Sequence, residues 1–158
     1  TGTDAVCIGD DAEAGNAAGD NGALAIGARS VAIGSNSIAL GENTDATASG
    51  SIAIGGHLTD ASSADSTGSN AIAIGVNSLA SGSEAISIGL NSLADADSSI
   101  SIGLVADAGG TTSVAIGDSA NASGDQAIAI GENTDATALT VSPLGETQMT
   151  PTALTARR

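Results

Sequence analysis

Few residues in this chain are of types that do chemistry. There is one cysteine, Cys7, and one histidine, His57. A His-dependent triad therefore has a single candidate base. His57 sits in the stretch Gly56-His57-Leu58-Thr59-Asp60, with Asp65 further on. Serine is abundant, but no triad spacing surrounds His57, and the residue reads as a solvated loop side chain. Cys7 has no partner for a disulfide and no basic neighbour to make a thiolate, so it reads as a small apolar residue. The carboxylates are densest at Asp10-Asp11-Ala12-Glu13 and Asp95-Ala96-Asp97. Calcium needs six or more oxygens gathered in a loop, and neither the twelve-residue nor the nonapeptide calcium pattern is present. Without lysine there is no phosphate-binding Gly-x-x-x-x-Gly-Lys loop either. No catalytic, metal or cofactor-binding residue is assigned, and the chain is read as non-enzymatic.

Composition excludes further classes. The 158 residues contain no aromatic side chain and 22 glycines. Eighteen Asp and Glu stand against Arg29, Arg157 and Arg158, for a net charge of −15. Such a chain repels nucleic acid and acidic membrane surfaces. No apolar run reaches the ~18 residues needed to span a bilayer. Yet 41% of residues are hydrophobic and the mean hydropathy is +0.22, too apolar for a solvated disordered segment.

The elements behind this composition are repeats. One pentad recurs ten times: a small residue, a branched apolar residue, a small residue, Ile or Leu, then Gly. Ala71-Ile72-Ala73-Ile74-Gly75 and Ser113-Val114-Ala115-Ile116-Gly117 are examples. Its glycine falls at 75, 89, 103, 117 and 131, a period of 14, and at 27, 41 and 55 earlier in the chain. The gap from Gly55 to Gly75 holds six extra residues, and that from Gly9 to Gly27 holds four. The run from Glu42 to Ala48 returns at Glu132 to Ala138, offset by six periods plus the same six residues.

Fourteen residues are too few for two helices, and Ile-x-Ile alternation has the strand period of two. Asn36, Asn43, Asn77, Asn91 and Asn133 each follow a pentad Gly by two residues, where a left-handed turn residue is suited. Each coil is thus two short strands and two tight turns, an all-β parallel solenoid. In the second strand, Ala46, Ala80, Ala94, Ala108, Ala122 and Ala136 lie five residues past the Gly and are assigned inward. Their neighbours Asp45, Thr47, Leu79, Ser81, Leu93, Asp95, Asn121, Ser123, Asp135 and Thr137 are assigned outward, as an exposed face where a partner is read. With only alanine inward from that strand, the Ile/Val pair of the first strand is assigned to fill the coil. The middle small residues, Cys7, Ala25, Ala39, Ala53, Ala73, Ser87, Ser101, Ala115 and Ala129, then face out, suited to close packing against other copies of the chain. The Gly27 to Gly41 coil departs from this rule, because Val31 and Ile33 fall in the outward slots of the second strand.

The motif and period together resemble the head repeats of trimeric autotransporter adhesins, the YadA-like head. Gly75-Val76-Asn77-Ser78-Leu79-Ala80-Ser81-Gly82, running on to Ser87-Ile88-Gly89, is a close example, and the likeness covers roughly residues 4 to 138. The resemblance implies a left-handed parallel β-roll, a homotrimer, and attachment to an unidentified surface receptor. It implies an extracellular place on a bacterial surface. Similar repeats in phage fibres supply a second context, the virion surface. An ice-binding solenoid is a remote alternative, since Thr-x-Thr ladders are missing. Residues 1–138 are read as the roll. Residues 139–158, with both prolines, are read as a tail that docks to a larger fibre or particle, or as the start of a following domain.

Overall fold

The computed structural model describes residues 4–15, 22–57 and 63–137. Asp60 and the expected tail lie outside them. Among the described residues there is no helix. The chain winds as a solenoid with two strands per coil, and these stack into two nine-stranded parallel sheets. The first sheet holds the three-residue strands, from Val6–Ile8 through Ile86–Ile88 and Ile100–Ile102 to Ile128–Ile130. The second holds two-residue strands, from Glu13–Ala14 through Leu79–Ala80 and Leu93–Ala94 to Asp135–Ala136.

The 14-residue period sets the register. Ile86, Ser87 and Ile88 pair with Ile100, Ser101 and Ile102 one coil on. Both insertions leave the register intact: Ile52 pairs with Ile72 and Val6 with Leu24. The turns stack as well. Val105 N–H donates to the Leu90 carbonyl at 2.9 Å and Ser119 N–H to that of Leu104 at 2.8 Å. Backbone groups at the corners are therefore satisfied by the next coil, as strand groups are.

The true unit is half a coil. Asn70, Asn77, Glu84, Asn91, Ser98, Val105, Thr112, Ser119, Gln126 and Asn133 all have positive φ, between 53° and 59°, at intervals of seven residues. From Asn70 to Asn133 both corners of each coil thus use the same left-handed turn residue. Val31 and Ile33 follow from this: their pentad is a half-unit that lies in the second sheet, where Val31–Ala32 pairs with Asp45–Ala46.

The pentad glycines are fixed by two constraints at once. Gly103 has φ +148°, and a Cβ there would lie 2.2 Å from the Gly117 carbonyl oxygen. Gly27, Gly75, Gly89 and Gly117 make the same approach to the next coil's glycine. The stack tolerates no side chain at this slot.

The core corrects the sequence-based orientation of the first strand. Ala25, Ala39, Ala53, Ala73, Ser87, Ser101, Ala115 and Ala129 are buried inside the coil, and none is exposed by more than 1%. They cannot be surface contacts between chains. Cys7 occupies the same slot in the first described coil and is exposed, with Ala25 beside it on one side only. The Ile and Val that flank these positions point out. The core is made of alanine and serine from both sheets, with Ala46, Ala80, Ala94, Ala108 and Ala122 opposite. Two facing layers of such short side chains leave no room for isoleucine. Inward Ile and Val need a wide coil to fill, and this coil is narrow.

Serines close the turns into this core. Ser30, Ser37, Ser51, Ser78 and Ser99 each donate from Oγ to the carbonyl three residues back, at 2.6–2.9 Å. Ser87 and Ser92 Oγ lie 2.7 Å apart across the interior. Ser101 and Ser113 Oγ are buried and have no hydrogen-bond partner among the described residues.

Candidate functional site: the outer face of the first sheet

Reversing the first strand creates the most unusual surface of the molecule. Each of nine strands presents two branched apolar side chains outward. In the middle coils Ile72, Ile74, Ile86, Ile88, Ile100 and Ile102 are half-buried, shielded only by their stacked neighbours. At the ends exposure rises to 57% for Ile8 and 63% for Ile128. Not one charged or polar residue interrupts the two rows. At a strand spacing of about 4.8 Å the face runs about 40 Å. Contiguous apolar surface of that extent marks an interaction site on a soluble protein.

The outer face of the second sheet is different. Its positions were assigned outward from sequence; those from Asp45 to Ser123 flank buried alanines, and Asp135 and Thr137 flank the partly buried Ala136 of the last described coil. Asp45, Thr47, Leu79, Leu93 and Asn121 are half-buried, while Ser81, Asp95, Ser123, Asp135 and Thr137 are exposed. The face is mixed and acidic. Asp45 pairs with Asp65 in register. A Cβ at Gly109 would stand 3.7 Å from carboxylate oxygens of both Asp95 and Asp107. Burial, and then the charge of Asp95, push the Asp107 pKa above its usual value.

The other candidate residues do not assemble. His57 is exposed at a corner; its N–H donates to the Glu42 carbonyl and its carbonyl accepts from Asn43 Nδ2 at 2.7 Å. Arg29 pairs with Glu42 and donates from Nε to Asn43 Oδ1 at 2.7 Å, which ties neighbouring coils at that corner. Among the described residues no three His, Cys, Asp or Glu side chains converge to hold a metal ion. No helix there is long and apolar enough to cross a membrane.

Sequence reasoning missed the apolar face, although two signals pointed to it. The first residue of each pentad is Ser or Ala, so small residues already filled the inward slots on both sides of the strand. Val31 and Ile33 flank Ala32 just as Ile flanks alanine in the first sheet.

A parallel solenoid with an alanine–serine interior and one apolar flank is a repeat module of the β-roll class. The comparison with protein families agrees. The YadA head domain repeat (2 copies) matches residues 21–37, 32–57, 66–92, 80–106 and 108–134. These spans make up more than half of the chain, which belongs to the family of YadA-like head repeats of trimeric autotransporter adhesins. The family is one of structural adhesin repeats, trimeric in general. None of the curated proteins matches the chain.

Proposed function

We propose that the chain is a non-enzymatic adhesin head module. Three copies form left-handed rolls that close their first sheets around a common axis, displayed at a bacterial surface. The nine-stranded apolar face carries this reading. Left in water, its Ile side chains forgo about 25 cal/mol for every Å2 of apolar surface they would otherwise bury. A second and third copy, in the same register, offer the same flat rows at the same height. Closed threefold symmetry uses all three faces and leaves none to polymerise. The small residues first assigned to this contact instead hold each roll together from within.

With the first sheets turned inward, the second sheets form the outside of the prism. Asp45, Thr47, Leu79, Ser81, Leu93 and Asp95 then belong to the surface that meets a receptor. Its acidic character favours a basic or hydrogen-bonding partner. Sedimentation or light scattering on the purified chain tests the assembly directly. A mass of three chains with a β-type circular dichroism spectrum is expected, and a folded monomer at micromolar concentration overturns the reading.

A further inference from the structure

In the middle of the molecule the apolar surface continues around one corner. Two residues beyond the last outward Ile, across the glycine, stand Val76, Leu90 and Leu104 in three successive coils. Leu90 is 48% exposed, Leu104 43% and the adjoining Val105 49%. In the flanking coils the same slot as Leu90 holds Gly56 and Asp118, and Glu42 stands one coil beyond Gly56. The opposite corner is polar at this height, with Glu84, Ser98 and Thr112.

Val105 adds an independent observation. It occupies the left-handed turn slot, with φ 54°, where Asn77 and Asn91 stand in the two preceding coils. A β-branched residue is an outlier in that conformation, and left-handed backbone costs an L-residue free energy. An apolar side chain at a strained and exposed position gains nothing within one chain. Burial against another chain would offset the strain.

We propose that this corner ladder is a heterologous contact to the next copy in the trimer, docking on the outer rows of its first sheet. The inference rests on the trimeric reading above and names a surface that reading does not require. A threefold ring joins two different surfaces at each junction, so its protomers need two unlike sides. The two corners of these coils are unlike, one apolar and one polar. The apolar corner is continuous with the Ile74, Ile88 and Ile102 row, which places both in one uninterrupted surface. In a ring closed by rotation alone, each coil faces the same coil of its neighbour. The ladder then meets Ile72, Ile86 and Ile100 of the next copy.

Sedimentation across a dilution series, on the intact chain and on a Leu90→Ser/Leu104→Ser variant, tests this. The concentration at which the trimer half-dissociates should rise at least tenfold in the variant. An intact chain that is trimeric, with a variant that dissociates at the same concentration, overturns the corner contact and leaves the trimer standing. A monomeric intact chain overturns both. Thiol labelling covers the case of a variant that fails to fold. In a Cys7→Ala background, Leu104→Cys should react with a maleimide at least tenfold more slowly than Ser83→Cys on the polar corner. Equal rates overturn the proposal.

Discussion

The two sheets of this roll are built from the same half-coil and differ in what they carry outward. Both place a small residue in the core, both end in a left-handed turn residue, and both pair in parallel at a 14-residue offset. The first sheet shows only Ile, Leu and Val outside, whereas the second shows mainly Asp, Asn, Thr and Ser, with Glu13 and a few apolar residues, Val31, Ile33, Leu79 and Leu93. The small core residue and the turn residue are thus common to both faces, and the two differ in their outward slots and in the glycine of positive φ that ends each strand of the first sheet. Such a fold lets one surface be held for assembly while the other varies at little cost to the scaffold.

The largest effect should come from charging one face and then the other. Ile102→Asp places three carboxylates in the proposed trimer core and removes three Ile contacts of about 2 kcal/mol each. It should leave a monomer at micromolar concentration in sedimentation. Leu93→Asp, one coil away on the second sheet, should leave the mass unchanged. If both variants behave alike, the two faces are not functionally distinct.

A second contrast lies in the glycines that end each strand. Gly103→Ala should cost about 3–4 kcal/mol, because it forces both a left-handed φ and a clash with the Gly117 carbonyl. Thermal or urea melting would read the loss. The corresponding slot of the second sheet already holds alanine at Ala48 and Ala96. A harmless Gly103→Ala would mean that the first sheet can open its stacking there.

The core predicts a gain. Ser101 buries a hydroxyl with no hydrogen-bond partner, in a slot that holds alanine in most coils. Ser101→Ala should stabilise the roll by about 1–2 kcal/mol in denaturant melts. Ser87→Ala breaks the Ser87–Ser92 hydrogen bond and should not. Equal effects would show that interior hydroxyl pairing contributes nothing.

The smallest effect belongs to the acidic face. The Asp107 pKa is raised by burial and then by Asp95, so the folded roll favours its protonated form. Its stabilising contribution is complete below the ordinary carboxylate range and is lost as pH rises through the raised value. Asp107→Asn should therefore be slightly more stable than the intact chain at neutral pH, and no more stable in acid. Solvent screening keeps the difference to a fraction of a kcal/mol. A melting difference independent of pH would remove the ionisation as its cause.

Much of the fold could be read from residues alone. The glycine period gave the coil length, Ile-x-Ile gave strands, and the Asn two places after Gly gave turn residues with positive φ. The single alanine of the second strand identified its inward side. The inward side of the first strand could not be read the same way. A period of two says that alternate residues share a face, and it is silent about which face is buried. Ala73 and Ile74 alternate equally well either way.

The sequence by itself determined the repeat, the strand and turn positions, the parallel stacking and the family. These follow from local geometry and from spacing that recurs coil after coil. Tertiary structure alone decided the separation of the two sheets. Alanine and serine from both sides bring them close, and that closeness expels every Ile to the outside. The residues that looked like a core became a surface, because interior volume belongs to two layers meeting and not to either strand.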